Sequence, residues 1–156
     1  MQKIKGTLII IGGDLYLPSG SNGSEEMANG EIPDIESAII TRFCEMLRGD
    51  THRIEIIPTA SGIPEKVSKQ YIEAFQSLGY ENVGVLDIRN REEAQNEALI
   101  GRVREAEGFL FTGGNQLRLT TILGGTEFMK VLHDRYIHEP VVIAGTSAGA
   151  MAMSDT

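Results

Sequence analysis

The period of the apolar positions changes several times along this 156-residue chain. Residues 6–11 form a short unbroken apolar run closed by Gly12-Gly13, the pattern of a buried strand. Residues 14–31, DLYLPSGSNGSEEMANGE, are rich in Gly and Ser and have no period, which predicts a long mobile loop. From Asp34 the spacing becomes helical: Ile35, Ile39, Phe43, Met46 and Leu47 share a face, and Gly49 lies just beyond it. Residues 53–57 predict a second strand stopped by Pro58. Pro64 suits the first turn of the next helix, whose apolar face is Val67, Tyr71, Phe75 and Leu78 and whose end is Gly79. Residues 82–88 predict a third strand. Asn90 with Glu93 reads as a capping box opening a helix, with Ala94, Ala98, Leu99 and Val103 as its stripe. Residues 109–111 predict a fourth strand, residues 126–137 a helix, and residues 141–144 a fifth strand. A last helix is expected to start at Ala148.

Strand and helix alternate throughout, which predicts an α/β fold: a doubly wound, mainly parallel sheet with helices on both faces. Right-handed crossovers make a strand order such as 3-2-1-4-5 the expectation, with the first and fourth strands adjacent. Gly12-Gly13, Gly113-Gly114 and Gly145 then meet at the C-terminal edge of the sheet, where such folds bind ligands. The chain reads as a single domain over residues 1–156.

Charge and composition narrow the partners. The net charge of −8 argues against nucleic acid and anionic membrane surfaces. It tolerates a cationic substrate, although ordinary solubility is the commoner reason for such a charge. No apolar run is long enough to span a bilayer. The N-terminal MQKIKGTLIIIGG reads as a first strand, because no small-residue cleavage pattern follows its β-branched run. A single cysteine, Cys44, rules out an intrachain disulfide and is compatible with a reducing cytoplasm. It lies beside Phe43 on an amphipathic helix and reads as core packing.

The segment with the strongest chemical signal is Gly145-Thr146-Ser147-Ala148-Gly149, a G-x-S-x-G run between a strand and a helix. This is the context of a nucleophile elbow. A strand that turns at once into a helix forces its apex residue into a strained, left-handed conformation, and small neighbours are needed on either side. The apex hydroxyl then stands clear of the sheet at the positive end of a helix, and the Ala148 amide can donate to a developing oxyanion. The alternative is a tight turn that binds phosphate or merely packs closely. Neither a G-x-G-x-x-G run nor a Gly-Lys-Ser/Thr loop is present at this turn, which favours the nucleophile. The second oxyanion donor is expected from Thr112-Gly113-Gly114-Asn115-Gln116, where two glycines let backbone approach a substrate. The competing reading there is a Gly-Gly helix entry with Asn115 as the cap.

Four short stretches together carry a family resemblance: GGD after the first strand, IPTAS after the second, TGGNQ after the fourth and GTSAGA after the fifth. They resemble cyanophycinase, a serine peptidase of the group that also contains the aspartyl dipeptidases, on a fold like class I glutamine amidotransferases. Gln116 after GGN favours cyanophycinase over the dipeptidases. The resemblance implies a three-layer αβα fold and hydrolysis of cyanophycin, an arginine-bearing polyaspartate, to β-aspartyl-arginine dipeptides. It implies Ser147 as nucleophile, Gly114 and Ala148 as oxyanion amides, and Gln116 as a substrate contact beside Asn115. It suggests a homodimer in the complete form; no His/Cys/Asp cluster has metal-ligand spacing, and no cofactor or metal is expected. Arg118 could meet a substrate carboxylate by its nearness to the site; a surface arginine is the other reading. An aspartyl dipeptidase-like peptidase and a non-catalytic binding module of the same fold remain alternatives.

A serine needs a base. His52 and His138 precede strands and so belong at the opposite sheet edge, roughly 15 Å away across five strand residues. His133 sits roughly 10 Å along a helix that runs away from the site. The histidine and acid of the resembling family follow the nucleophile, at positions this sequence does not contain. The expectation is therefore an N-terminal portion of a longer catalytic domain, cut off after the nucleophile elbow, inactive alone and with one side of the sheet and the last helix exposed. Asp14, Glu25, Glu26 and Glu31 could attract arginines from the loop, or be merely solvated, and Asp87 could face the site.

Overall fold

The computed structural model describes residues 3–13 and 35–151. The expected loop 14–31, with Asp14, Glu25, Glu26 and Glu31, lies outside the described residues. Five strands form one sheet: β1 (Thr7–Ile11), β2 (Ile54–Ile57), β3 (Val83–Val85), β4 (Gly108–Phe111) and β5 (Val142–Thr146). Every pairing is parallel. The helices are α1 (Ile35–Glu45), α2 (Pro64–Ser77), α3 (Glu97–Glu105), α4 (Gln116–Leu123), α5 (Glu127–His138) and α6 (Ala148–Met151).

Alternation along the strands sorts the core into two layers. On one face Ile54, Ile56, Leu110, Val142 and Ala144 pack with Phe43 and Leu47 of the α1 region and with Tyr71 and Phe75 of α2. On the other, Ile57, Phe109, Phe111 and Ile143 pack with Val103 of α3, Leu119 and Leu123 of α4, and Phe128 and Leu132 of α5. The result is a three-layer αβα arrangement. In and just after α1 the buried stripe is Ile40, Phe43, Cys44 and Leu47, so Cys44 is a core residue as its neighbours implied. Burial, and secondarily the charge of Glu45, pushes its thiol up from 9.0 to about 12.

The strand order is β1-β5-β4-β2-β3, not the expected 3-2-1-4-5. β2 pairs directly with β4, through Ile54↔Gly108, and β1 occupies the edge beside β5. Exposure follows the placement: β4 and β5 are buried along their whole length, whereas β1 is partly open and Ile10 is 63% exposed. The connection through residues 12–53 is long enough to pass both inner strands, so nothing tied β1 to the side of β2.

Two local differences have simple causes. The expected helix from Asn90 is split. Asn90 Oδ1 accepts from the Glu93 amide at 2.9 Å, but what it opens is a 3-10 turn, Glu93–Gln95. Asn96 then caps α3 by accepting from the Leu99 amide. A second asparagine cap restarts the helix because a cap residue takes extended backbone, as Asn96 does at ψ 124. Helix α4, capped by Asn115, corresponds to the alternative reading of the Gly-Gly segment as a helix entry. An unforeseen buried charge also ties the layers: Glu55 of β2 is fully buried and takes both Arg53 and Arg102 of α3. Gly84 leaves the room, since a Cβ there would lie 2.7 Å from Glu55 Oε2.

Candidate active site

The register brings the strand ends together. Ile11 pairs with Thr146 and Phe111 with Gly145, so β5 delivers its last residue between the ends of β1 and β4. Gly12-Gly13 therefore lies on one side of the β5 terminus and Gly113-Gly114 on the other. This is the shared C-terminal edge expected from sequence, with β5 rather than β1 as the strand beside β4.

Ser147 joins β5 to α6 at φ 47, a left-handed conformation in a residue other than glycine. That costs about 1–2 kcal/mol in an L-residue. It persists because both sides are fastened. The Ser147 amide donates to Ile11 O at 3.1 Å, and the Ser147 carbonyl accepts from Met151 N at 3.0 Å. Thr146 and Ala148 are buried on either side, while Ser147 keeps partial exposure. Gly149 is required by β4: a Cβ on it would meet Phe111 O at 2.6 Å and Phe111 Cβ at 2.9 Å. The small residue lets α6 lie directly on the neighbouring strand end.

The facing segment is equally constrained. Gly114 has φ 138, and a Cβ there would lie 2.1 Å from Ala60 O. Asn115 donates its amide to Ala60 O at 2.8 Å, and its Oδ1 accepts from the Arg118 amide at 3.1 Å, which caps α4. The helix-entry reading of Asn115 is therefore the arrangement present. Gln116 opens α4 and is exposed, beside Leu117 at 73% exposure. Arg118 is exposed and donates from Nη1 to Ser61 O at 2.9 Å. Among the described residues, neither the Gly114 nor the Ala148 amide donates to a protein acceptor. Two such N–H groups at one sheet edge can serve an anionic oxygen.

The histidines lie elsewhere. His138 ends α5, with Nδ1 2.9 Å from Asp134 O and 3.1 Å from Asp134 Oδ1. His52 precedes β2 at the opposite edge and packs near Tyr80, ring centroids 5.7 Å apart. His133 on α5 lines a groove of about 580 Å³ whose walls include Leu8, Phe111, Tyr136 and Gly149. That groove and the exposed Ile4 and Ile10 leave the sheet open at its β1 edge, not at β5 as the expected order implied; the last helix, expected to be exposed, has Ala148, Gly149 and Ala150 buried against β4 and β5 and only Met151 exposed. No hydrogen bond joins Ser147 Oγ to a base among the described residues. Nor does any group of three His, Cys, Asp or Glu side chains there have the arrangement of a metal site, and no described helix is long and apolar enough to cross a membrane.

Sequence reasoning missed Arg89. It follows β3, pairs with Asp87 through Nε at 2.8 Å, and donates to carbonyls of the loop after β2. An Asp-x-Arg pair emerging at the C-terminal edge was the available signal. Asp87 is thus engaged with Arg89.

Comparison with known proteins gives the family and the fold. Over 100 residues the chain is 39% identical to a cyanophycinase of Trichormus variabilis, covering 64% of this chain and 34% of that one. Over 152 residues it is 30% identical to a cyanophycinase of Geminocystis herdmanii, covering 97% of this chain and 50% of that one. The chain thus spans between about a third and a half of the length of these curated relatives. In structure it is similar to a peptidase from an acI-B1 actinobacterium, at TM-score 0.75 and 24% identity over 98% of this chain and 58% of that one, which shows the fold. It is also similar to a putative peptidase E protein from Listeria monocytogenes EGD-e, at TM-score 0.51 and 26% identity over 70% of this chain and 54% of that one. Residues 26–156 match the family model described as Peptidase family S51. That match runs through the whole strand–serine–helix turn, and the chain belongs to peptidase family S51.

Proposed function

We propose that this chain carries the nucleophile and oxyanion-binding half of a serine-type hydrolase that cleaves cyanophycin or a similar arginine-bearing polyaspartate to β-aspartyl-arginine dipeptides. Ser147 Oγ attacks the scissile carbonyl carbon and gives up its proton to a base. The carbonyl oxygen becomes an oxyanion and accepts from the Gly114 and Ala148 amides. Collapse of the tetrahedral species breaks the C–N bond, the base returns the proton to the leaving amine, and an acyl-serine remains. Water then hydrolyses that ester by the same steps in reverse order. Gln116, Asn115 and Arg118, on the rim formed by the start of α4, are assigned to substrate. The net charge of −8 is compatible with an arginine-bearing substrate.

The observation that supports this reading best is the left-handed Ser147, φ 47, pinned to Ile11 and followed by a glycine that allows α6 onto β4. None of His52, His133 and His138 hydrogen-bonds Ser147, so we assign the base and its acid to polypeptide outside residues 1–156. Residues 1–156 alone are accordingly assigned no turnover. A cytoplasmic homodimer is the proposed working form of the full-length protein. The 26% likeness to a putative peptidase E protein supports a second reading, an aspartyl dipeptidase. The test is hydrolysis by the full-length protein of cyanophycin and of aspartyl dipeptides, side by side. Release of β-aspartyl-arginine, abolished in Ser147→Ala, supports the first reading. Cleavage of dipeptides alone supports the second, and hydrolysis that survives Ser147→Ala defeats both.

A further inference from the structure

We propose that Arg89 is a positioning residue for the oxyanion-binding segment, acting through the loop 58–61; this rests on the serine-hydrolase reading above. The loop is buried, with Thr59, Ala60 and Ser61 at 0%, 1% and 4% exposure. Its carbonyls therefore need protein partners. One guanidinium reaches three of them, although Pro58 O also accepts from the Ser61 amide at 2.9 Å. Arg89 Nη1 lies 3.1 Å from Thr59 O, 3.2 Å from Ser61 O and 3.5 Å from Pro58 O, and Nη2 lies 3.2 Å from Ser61 O. Asp87 holds the guanidinium in place from Nε.

The remaining carbonyl of the loop points the other way. Ala60 O accepts the Asn115 amide at 2.8 Å and lies against Gly114, where even a Cβ would overlap it. The Gly114 peptide is thereby set by the loop, and the loop by Arg89. The chain of contact is guanidinium, three carbonyls, Ala60 carbonyl, Gly114-Asn115. A planar fork with several donors can hold converging carbonyls at once; a lysine ammonium is a single point charge on a flexible stem. Arg118 closes the same loop from α4 through Ser61 O.

Loss of the fork lets the loop and Gly114 move relative to Ser147. Misplacement of catalytic geometry by 1 Å can cost about 100-fold in rate, and an interaction made only in the transition state is lost from kcat rather than from KM. The experiment uses the full-length protein with Arg89→Ala and Arg89→Lys. Turnover is normalised to active sites titrated at Ser147, and the Asn115 amide is followed by hydrogen exchange. The expected result is a fall in kcat of about 10- to 100-fold in both variants, with KM within about threefold. Faster exchange over residues 112–116 accompanies it. Arg89→Lys, which keeps the charge beside Asp87, recovers thermal stability but not kcat. The proposal is overturned if kcat per titrated site stays within about twofold of wild type, if KM rises in place of the fall in kcat, or if Arg89→Lys restores full turnover. If Ser147→Ala retains hydrolysis, the hydrolase reading itself fails. The exchange measurement then still decides whether Arg89 holds the segment, and unchanged protection of residues 112–116 overturns that link.

Discussion

Replacing Gly149 by alanine tests how closely the serine-bearing helix is seated. The added Cβ would lie 2.6 Å from Phe111 O, 2.9 Å from Phe111 Cβ and 3.0 Å from Phe111 C, against an ordinary lower limit of 3.4 Å. Two of the three obstructing atoms are backbone of a buried strand paired on both sides, so β4 cannot yield. The helix must instead lift by roughly 0.8 Å, the shortfall at the carbonyl oxygen. Overpacking of this kind costs about 1–3 kcal/mol. For a domain of this size that is a fall in Tm of about 2–12 °C. Because α6 starts at Ala148, the same displacement moves the proposed oxyanion amide, and a shift near 1 Å costs up to about 100-fold in rate. The assays are differential scanning calorimetry and kcat on the full-length protein. Gly101→Ala serves as the control: it lies inside α3 with nothing within 4 Å of an added Cβ. It should raise stability by about 0.5–1 kcal/mol without touching activity. A Gly149→Ala protein with wild-type Tm and wild-type kcat would refute the close seating of α6 on β4.

Ser147→Gly should be more stable than Ser147→Ala by about 1 kcal/mol, because only glycine adopts φ 47 without strain; equal chemical-denaturation midpoints would contradict the strained apex. Cys44 makes stability fall at high pH. Its folded thiol, raised to about 12 against 9.0, keeps its proton where the unfolded thiol has lost it. The contribution is thus complete below pH 9 and is lost as pH rises from 9 towards 12. Urea titrations should show this loss, a Cys44→Ala protein should show less of it, and a Cys44-independent slope would refute it. The same burial should make the thiol react with a disulfide reagent at pH 8 only as fast as the protein opens, a prediction sunk by fast labelling of the folded state.

The parts of this fold legible in the sequence are those written in side-chain period. β2 announces itself as isoleucines at 54, 56 and 57 between Arg53 and Pro58, and α2 as Pro64 followed by Tyr71 and Phe75 one turn apart. Neighbour relations are not written that way. The run TLIII of β1 looks as buried as VIAGT of β5, yet one is an edge strand and the other is paired on both sides. α4 escaped because its buried residues are only Leu119 and Leu123, with Leu117 facing solvent. At the site, Ser147 was legible because its conformation demands small neighbours, which are visible as letters. The grip of Arg89 on the loop was not, because its partners are main-chain carbonyls that any residue type would present.

The most direct measurement is mass spectrometry of the full-length protein after reaction with a fluorophosphonate. One adduct is expected, on Ser147, with hydrolysis lost in proportion to labelling and no adduct in Ser147→Ala. Labelling at another serine, or full activity in a protein whose Ser147 is quantitatively modified, would contradict it.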